Sequence, residues 1–235
     1  MKQGELYEKD DRILADAMHT VKNMITPINA YAEMIQYGHV EPEKIPEVAE
    51  KISFCASSAA QVCTELMEIY RIRGNLVDKT VEEVCPYEVL RDFIYMIESN
   101  LKPKGTKLLN LLDKSVTVLF NVGMLRSIFM NLVTNAIKFS PLNSTIEISG
   151  KVVEDKFYAV NVKDEGVGID EAKIEEKLNN NTDYSTLGLQ NETGSGLGLI
   201  LVKVILDKHQ GTIRAYNNKD KGASFEFTLP LYKEN

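Results

Sequence analysis

The chain has 235 residues, 44% of them hydrophobic, and a formal net charge of −7 from 27 Lys+Arg and 34 Asp+Glu. That length and apolar fraction suit one large domain or two modest ones with a sizeable core, while the acidic balance disfavours a nucleic-acid backbone or an anionic membrane as the main partner, because both need clustered Lys and Arg. The three cysteines, Cys55, Cys63 and Cys85, are odd in number and lack C-x-x-C spacing, so they read as small apolar fillers in a reducing compartment rather than as a disulfide framework or a zinc site.

No apolar run approaches the roughly 18 residues of a membrane span, and Met1 to Glu5 lead into charge rather than into a hydrophobic signal region. The expectation is a cytoplasmic chain with no direct membrane contact and no nucleic-acid partner.

The first third carries two helical seams. Leu14, Met18, Val21, Ile25, Ile28, Ala32 and Ile35 alternate by four and three, as do Ile45, Val48, Ile52, Cys55, Ala59, Val62, Leu66 and Ile69 after a break at Gly38, Pro42 and Pro46. Two long helices joined by a short turn pack antiparallel, and Gly74-Asn75 supplies a helix stop. A lone hairpin leaves apolar surface wet, so residues 8–74 are expected to pair with a second copy as a homodimeric four-helix bundle. Pro27 interrupts the first helix, and His19 lies two turns before it with Asn23 and Thr26 on its face.

From about Lys79 the pattern is mixed. Residues 86–101 predict an amphipathic helix with Val89, Leu90, Phe93, Ile94 and Ile97 inward, and 115–120 a strand. A helix over 124–139, strands near 145–149 and 157–163, a helix over 199–208 closed by Gly211, and a terminal hairpin of 212–216 with 224–229 follow. The fold class expected is α+β multidomain: the dimeric hairpin over 1–77, then an α/β sandwich over 78–235 with helices on one face of a mixed sheet.

Three blocks in this half carry chemistry. Asn131 and Asn135, four apart on one helix face and followed by Lys138 and Phe139, can aim two amides at one ligand. Asp164-Glu165-Gly166-Val167-Gly168 puts a carboxylate and two permissive glycines after a strand. Gly194-Ser195-Gly196-Leu197-Gly198-Leu199 opens an apolar helix, whose N–H groups and dipole suit phosphate.

In this order and spacing the blocks resemble the N, G1 and G2 boxes of the ATP-binding half of sensor histidine kinases, part of the wider gyrase-like, chaperone-like and mismatch-repair-like ATPases. The run from His19 to Ile28 resembles their H-box. The resemblance implies an ATP-dependent protein-histidine kinase that autophosphorylates His19 and passes the phosphoryl group to an aspartate on a response-regulator receiver domain. It implies ATP and Mg²⁺ as cofactors. Asn135 would hold the metal, Lys138 would meet phosphate, Phe139 would flank adenine, and Asp164 would accept from the adenine amino group. Asn131 stands where hydrolytic relatives carry a glutamate, and an amide cannot serve as that base. Two positions depart from the pattern. Thr20 follows the histidine where the family has an acid to orient the ring, with Asp16 as a conjectured substitute, and the polar 170–193 lid segment has Glu175 and Leu178 where aromatic residues are usual. Asn23 occupies the position that carries Thr or Asn in phosphatase-active members. A response-regulator phosphatase with weak kinase activity and a non-catalytic ATP-binding scaffold are therefore the alternatives.

Overall fold

A computed structural model describes residues 3–76, 80–180 and 196–233. Helix α1 (Gln3–Gln36) ends where Gly38, at φ +69°, turns the chain: His39 N–H donates to Met34 O and Gly38 N–H to Ile35 O, which closes the helix's last carbonyls. A 3₁₀ turn (Pro42–Lys44) leads directly into α2 (Ile45–Arg73). Pro46, in the first turn of α2, removes only a donor that has no intrahelical partner. Asn75 in the left-handed region (φ +54°) stops α2 where the sequence stop signal lies.

The interior face of α1 differs from the seam expected for it. Ile13, Ala17, Thr20 and Met24 are buried, whereas Leu14, Met18 and Ile25 stay exposed, Met18 at 63%. Both stripes have heptad spacing and lie side by side on the cylinder, so periodicity alone could not say which turned inward. On α2 the expected seam holds, with Val48, Ala59, Val62 and Ile69 buried. Cys63 is exposed rather than a filler.

The chain divides into two compact units, one containing Met1–Arg71 and the other Ile72–Asn180 with Leu199–Asn235. The 77/78 boundary expected from sequence lies outside the described residues.

The second unit is an α/β sandwich. Its five-stranded sheet has the order β2 (Lys107–Leu111), β4 (Thr145–Val153), β5 (Phe157–Lys163), β7 (Ala223–Pro230), β6 (Ile213–Asn217). Only β2 and β4 are parallel; the other pairs run antiparallel. A small antiparallel pair, β1 (Glu82–Val84) with β3 (Val118–Phe120), forms a second sheet that meets the chain after β7 through a bridge of Val118 with Leu231. Inward residues Ile146, Ile148, Tyr158, Val160, Val162, Phe227 and Leu229 alternate along the strands and are buried. Helices α3 (Pro86–Leu101) and α4 (Val122–Phe139) supply the opposing layer. Phe129 of α4 ties the layers, stacked on Phe93 of α3 at 6.4 Å and edge-on to Phe227 of β7 at 6.1 Å.

The strand expected over 115–120 shortens to Val118–Phe120, because the Asp113 carboxylate accepts from both the backbone and the hydroxyl of Ser115 and folds that segment into a turn. Strands β1 and β2 and the helix over Glu171–Asn180 appear without announcement in the pattern. Strand β2 reads Lys-Leu-Leu-Asn-Leu, with no clean alternation. Helix α5 (Glu171–Asn180) occupies the start of the expected lid segment, packs against β6 and buries Leu178; the rest of that segment, 181–193, lies outside the described residues.

Candidate nucleotide and phosphoacceptor sites

Helix α4 begins at Asn121, whose side-chain oxygen accepts from Met124 N–H at 3.0 Å. Its apolar stripe, Leu125, Ile128, Phe129, Leu132, Val133 and Ala136, is buried. That fixes the helix's rotation and brings Asn131, Asn135 and Lys138 to the half-buried polar side. Asn131 Nδ2 donates to Ser127 O at 2.9 Å, which uses its donor end on the helix itself and leaves its oxygen as the outward acceptor. No hydrogen bond from the Asn135 amide is found among the described residues. The Lys138 ammonium lies 4.8 Å from the centre of the Phe139 ring, so cation and aromatic face come as a pair.

The end of this helix is held by a residue outside the recognised blocks. Lys104, half-buried, donates from Nζ to Ile137 O at 2.8 Å, Lys138 O at 2.9 Å and Ser140 O at 3.5 Å. A cation on three terminal carbonyls satisfies acceptors the helix cannot and complements its dipole. A lysine beside Pro103 and Gly105 looks like an ordinary loop residue in sequence, so nothing there signals the role.

Asp164 ends β5 and is buried at 5% exposure. Its Oδ1 accepts from Gly166 N–H at 2.8 Å and from Ala223 N–H at 3.0 Å, so Oδ2 remains to accept from a ligand donor. Burial pushes this carboxyl above the usual carboxylate range, and the two backbone bonds oppose that shift only partly. Gly166 is required here: a Cβ would sit 2.7 Å from Phe139 O and 2.9 Å from Asp164 Oδ1. Gly168 takes φ +82°.

The glycine loop is clamped by Asn217 and Asn218, which the sequence analysis did not single out. Asn217 Oδ1 accepts from Ile169 N–H at 2.8 Å while its Nδ2 donates to Ile169 O at 2.9 Å, and Asn218 Nδ2 donates to Asp164 O at 2.9 Å. Asparagines at the end of a hairpin strand and the start of its turn ordinarily signal only the turn.

Of the third block, Gly194 and Ser195 lie outside the described residues. Gly196 has φ +69°, Leu197 is buried, and Gly198 opens α6 (Gly198–Lys208), whose apolar residues fill the core. His209, just past that helix, is a packing residue. Its ring lies 4.1 Å from that of Phe120, its Nε2 is 3.2 Å from Met124 Sδ, and burial lowers its pKa.

In the first unit His19 is exposed on α1. Thr20 is not its partner: at 8% exposure it is buried, and its hydroxyl donates to Asp16 O at 2.8 Å. Neither does the Asp16 carboxylate bond the ring among the described residues. The contact to His19 Nδ1 comes from Asn23 Nδ2 at 3.2 Å, one turn on.

A half-buried pair of helix amides and a buried strand-end carboxylate braced by glycines, set in an α/β sandwich, are the arrangement that the resemblance to the N and G1 boxes implies for a nucleotide site. Residues 121–233 match the family described as "Histidine kinase-, DNA gyrase B-, and HSP90-like ATPase". Sporulation kinase E of Bacillus subtilis is 24% identical over 98% of this chain and 30% of its own length. Sensor-like histidine kinase SenX3 of Mycobacterium tuberculosis is 27% identical over 94% of this chain and 54% of its own. Histidine kinase ThkA, solved in complex with response regulator protein TrrA, shares the fold at a TM-score of 0.75 and 22% identity, covering 98% of this chain and 64% of that one. Over nearly its whole length the chain is thus similar to the catalytic part of sensor histidine kinases, and it spans between about a third and about half of the length of these curated relatives. Among the described residues no helix is long and apolar enough to cross a membrane.

Proposed function

We propose that this core autophosphorylates His19 from ATP and passes the phosphoryl group to an aspartate of a response-regulator receiver domain in a two-component system. The observation that carries the reading is the pairing of an exposed helix histidine with an ATPase site whose base position holds an amide, Asn131, rather than an acid. With no carboxylate there to activate water, ATP is kept for another nucleophile. ThkA, which shares the fold, was solved with a response regulator, which supports the partner class.

Asp164 Oδ2 accepts from the adenine amino group, and Lys138 with Phe139 offers charge and a ring face to the nucleotide. The N–H groups opening α6, with Gly196, Leu197 and Gly198 shaping the loop, receive phosphate oxygens, and Gly194 belongs to the same sequence block outside the described residues. Mg²⁺ fits Asn135, whose amide is unengaged among the described residues and offers the hard oxygen that the ion prefers; when bound, the ion neutralises phosphate charge. A ring nitrogen of His19 then forms a bond to the γ-phosphorus as the bond to the β-phosphate oxygen breaks and its electron pair leaves with ADP. Positioning and charge stabilisation supply the catalysis.

We further read residues 1–77 as the dimerisation and phosphotransfer hairpin and 78–235 as the catalytic domain, cytoplasmic in location. The second, exposed stripe of α1, Leu14, Met18 and Ile25, is the surface that a second copy covers to complete a four-helix bundle. Asn23, exposed beside His19, favours phosphatase action on the partner as a second activity.

A pulse and chase tests the reading. Protein incubated with Mg²⁺ and γ-labelled ATP becomes labelled, and addition of a receiver domain moves the label onto it. Labelled phosphate released to water, with none ever found on the chain, would contradict it.

A further inference from the structure

His19 and Asn23 meet across one turn of α1, with Asn23 Nδ2 3.2 Å from His19 Nδ1. An amide nitrogen donates and does not accept, so this bond requires a lone pair on Nδ1. A neutral imidazole bonded this way carries its proton on Nε2, and the hydrogen bond made by one ring nitrogen decides the state of the other. The hydroxyl next to the histidine does not compete, because Thr20 is buried and its Oγ1 donates to Asp16 O at 2.8 Å. Both partners of the His19–Asn23 bond are exposed, so neither side chain is locked by packing.

We infer that Asn23 is a positioning residue that sets the tautomer of His19, holding the ring at rest with its proton on Nε2. The functional meaning of this device rests on the phosphoacceptor role proposed above; the tautomer itself does not. A protonated Nε2 has no lone pair with which to attack phosphorus, and the lone pair on Nδ1 is occupied by the amide. An amide differs from a carboxylate in being two-ended. A half-turn about the Asn23 Cβ–Cγ bond puts Oδ1 where Nδ2 stood, and the oxygen accepts from an Nδ1–H. The ring proton then resides on Nδ1, exchanged through solvent, and Nε2 gains a lone pair. Asn23 therefore gives His19 two bonded states, one closed to attack at Nε2 and one open. An acceptor-only side chain at the same place permits only the open one.

The experiment uses the whole chain, ¹⁵N-labelled, with long-range ¹H–¹⁵N correlations of the imidazole rings at a pH where the ring is neutral. His19→Gln identifies the His19 resonances. In the parent, Nδ1 is expected at the unprotonated shift and Nε2 at the protonated one. In Asn23→Asp the two shifts exchange, and autophosphorylation becomes several-fold faster at unchanged ATP affinity. In Asn23→Leu, similar in size but without a hydrogen bond, the Nδ1 shift moves away from its bonded value. A parent ring already protonated on Nδ1, or an Asn23→Asp ring that keeps its proton on Nε2, overturns the inference. So does faster labelling in Asn23→Asp without exchange of the shifts. Exchange of the shifts with no label on any variant supports the tautomer device and refutes the kinase reading, so the two fail separately.

Discussion

Asp164 places a buried carboxylate where one oxygen is consumed by two backbone donors and the other is left for the ligand. An amide at this position keeps the backbone bonds through its oxygen but turns a donor toward the adenine amino group proposed as its partner. Asp164→Asn should therefore weaken ATP binding by about 10- to 100-fold, the cost of losing one buried hydrogen bond and opposing two donors. Its effect on stability has the opposite sign. Because burial raises this carboxyl's pKa, the folded state holds the proton to higher pH than the unfolded chain, and the site's contribution to stability declines as pH rises from the ordinary aspartate value through the raised one. Above its raised pKa the ionised group bears that burial cost and an amide does not, so calorimetry at such a pH should find the variant at least as heat-stable as the parent while titration calorimetry finds it deficient in ATP. A destabilised variant with normal affinity would reverse both assignments. At this scale residue identity was legible but environment was not. The sequence showed Thr20 beside His19; only the helix rotation shows that the hydroxyl points inward to Asp16 O.

At the scale of elements, α4 joins core and site. Its apolar stripe anchors it, Asn121 caps its start and Lys104 holds its end, so the last turn that carries Asn135, Lys138 and Phe139 is fixed from outside the helix. Lys104→Met keeps the aliphatic stem and removes the three donated bonds. It should lower the stability of the sandwich by about 1–2 kcal/mol and weaken ATP binding in the same preparation. Denaturant unfolding and a binding titration check both, and an unchanged midpoint would show the lysine to be ornamental. Elements with strong periodicity were legible: α3 runs over Pro86–Leu101, as the sequence pattern predicted. Strand β2 was not, because its pairing with β4 is parallel and distant in sequence and its Leu108-Leu109 doublet breaks alternation. Helix α5 was hidden by its polar composition, with only Ile174 and Leu178 as apolar positions beyond its first turn.

At the scale of the whole molecule, the two seams of α1 bear on assembly. The inner stripe, Ile13, Ala17, Thr20 and Met24, is buried within one chain, while of the stripe read from the sequence Leu14, Met18 and Ile25 stay exposed and Val21, Ile28 and Ile35 are half-buried. A heptad pattern announces that a face will be covered without saying by which neighbour. The chain should therefore be a dimer in solution. Replacing Leu14 and Ile25 together by aspartate should drive it to monomer while ATP affinity stays at the parental value. Sedimentation velocity reads the first and titration calorimetry the second, and a parent that is monomeric throughout would remove the four-helix bundle from the account.

The most direct test of the central claim is labelling of the parent and of His19→Gln with Mg²⁺ and γ-labelled ATP, scored for label that is lost in acid and retained in base. The account predicts such label on the parent and none on the variant, with ATP bound equally by both. Equal label on the two proteins, or bound ATP with no label on the parent, would contradict it.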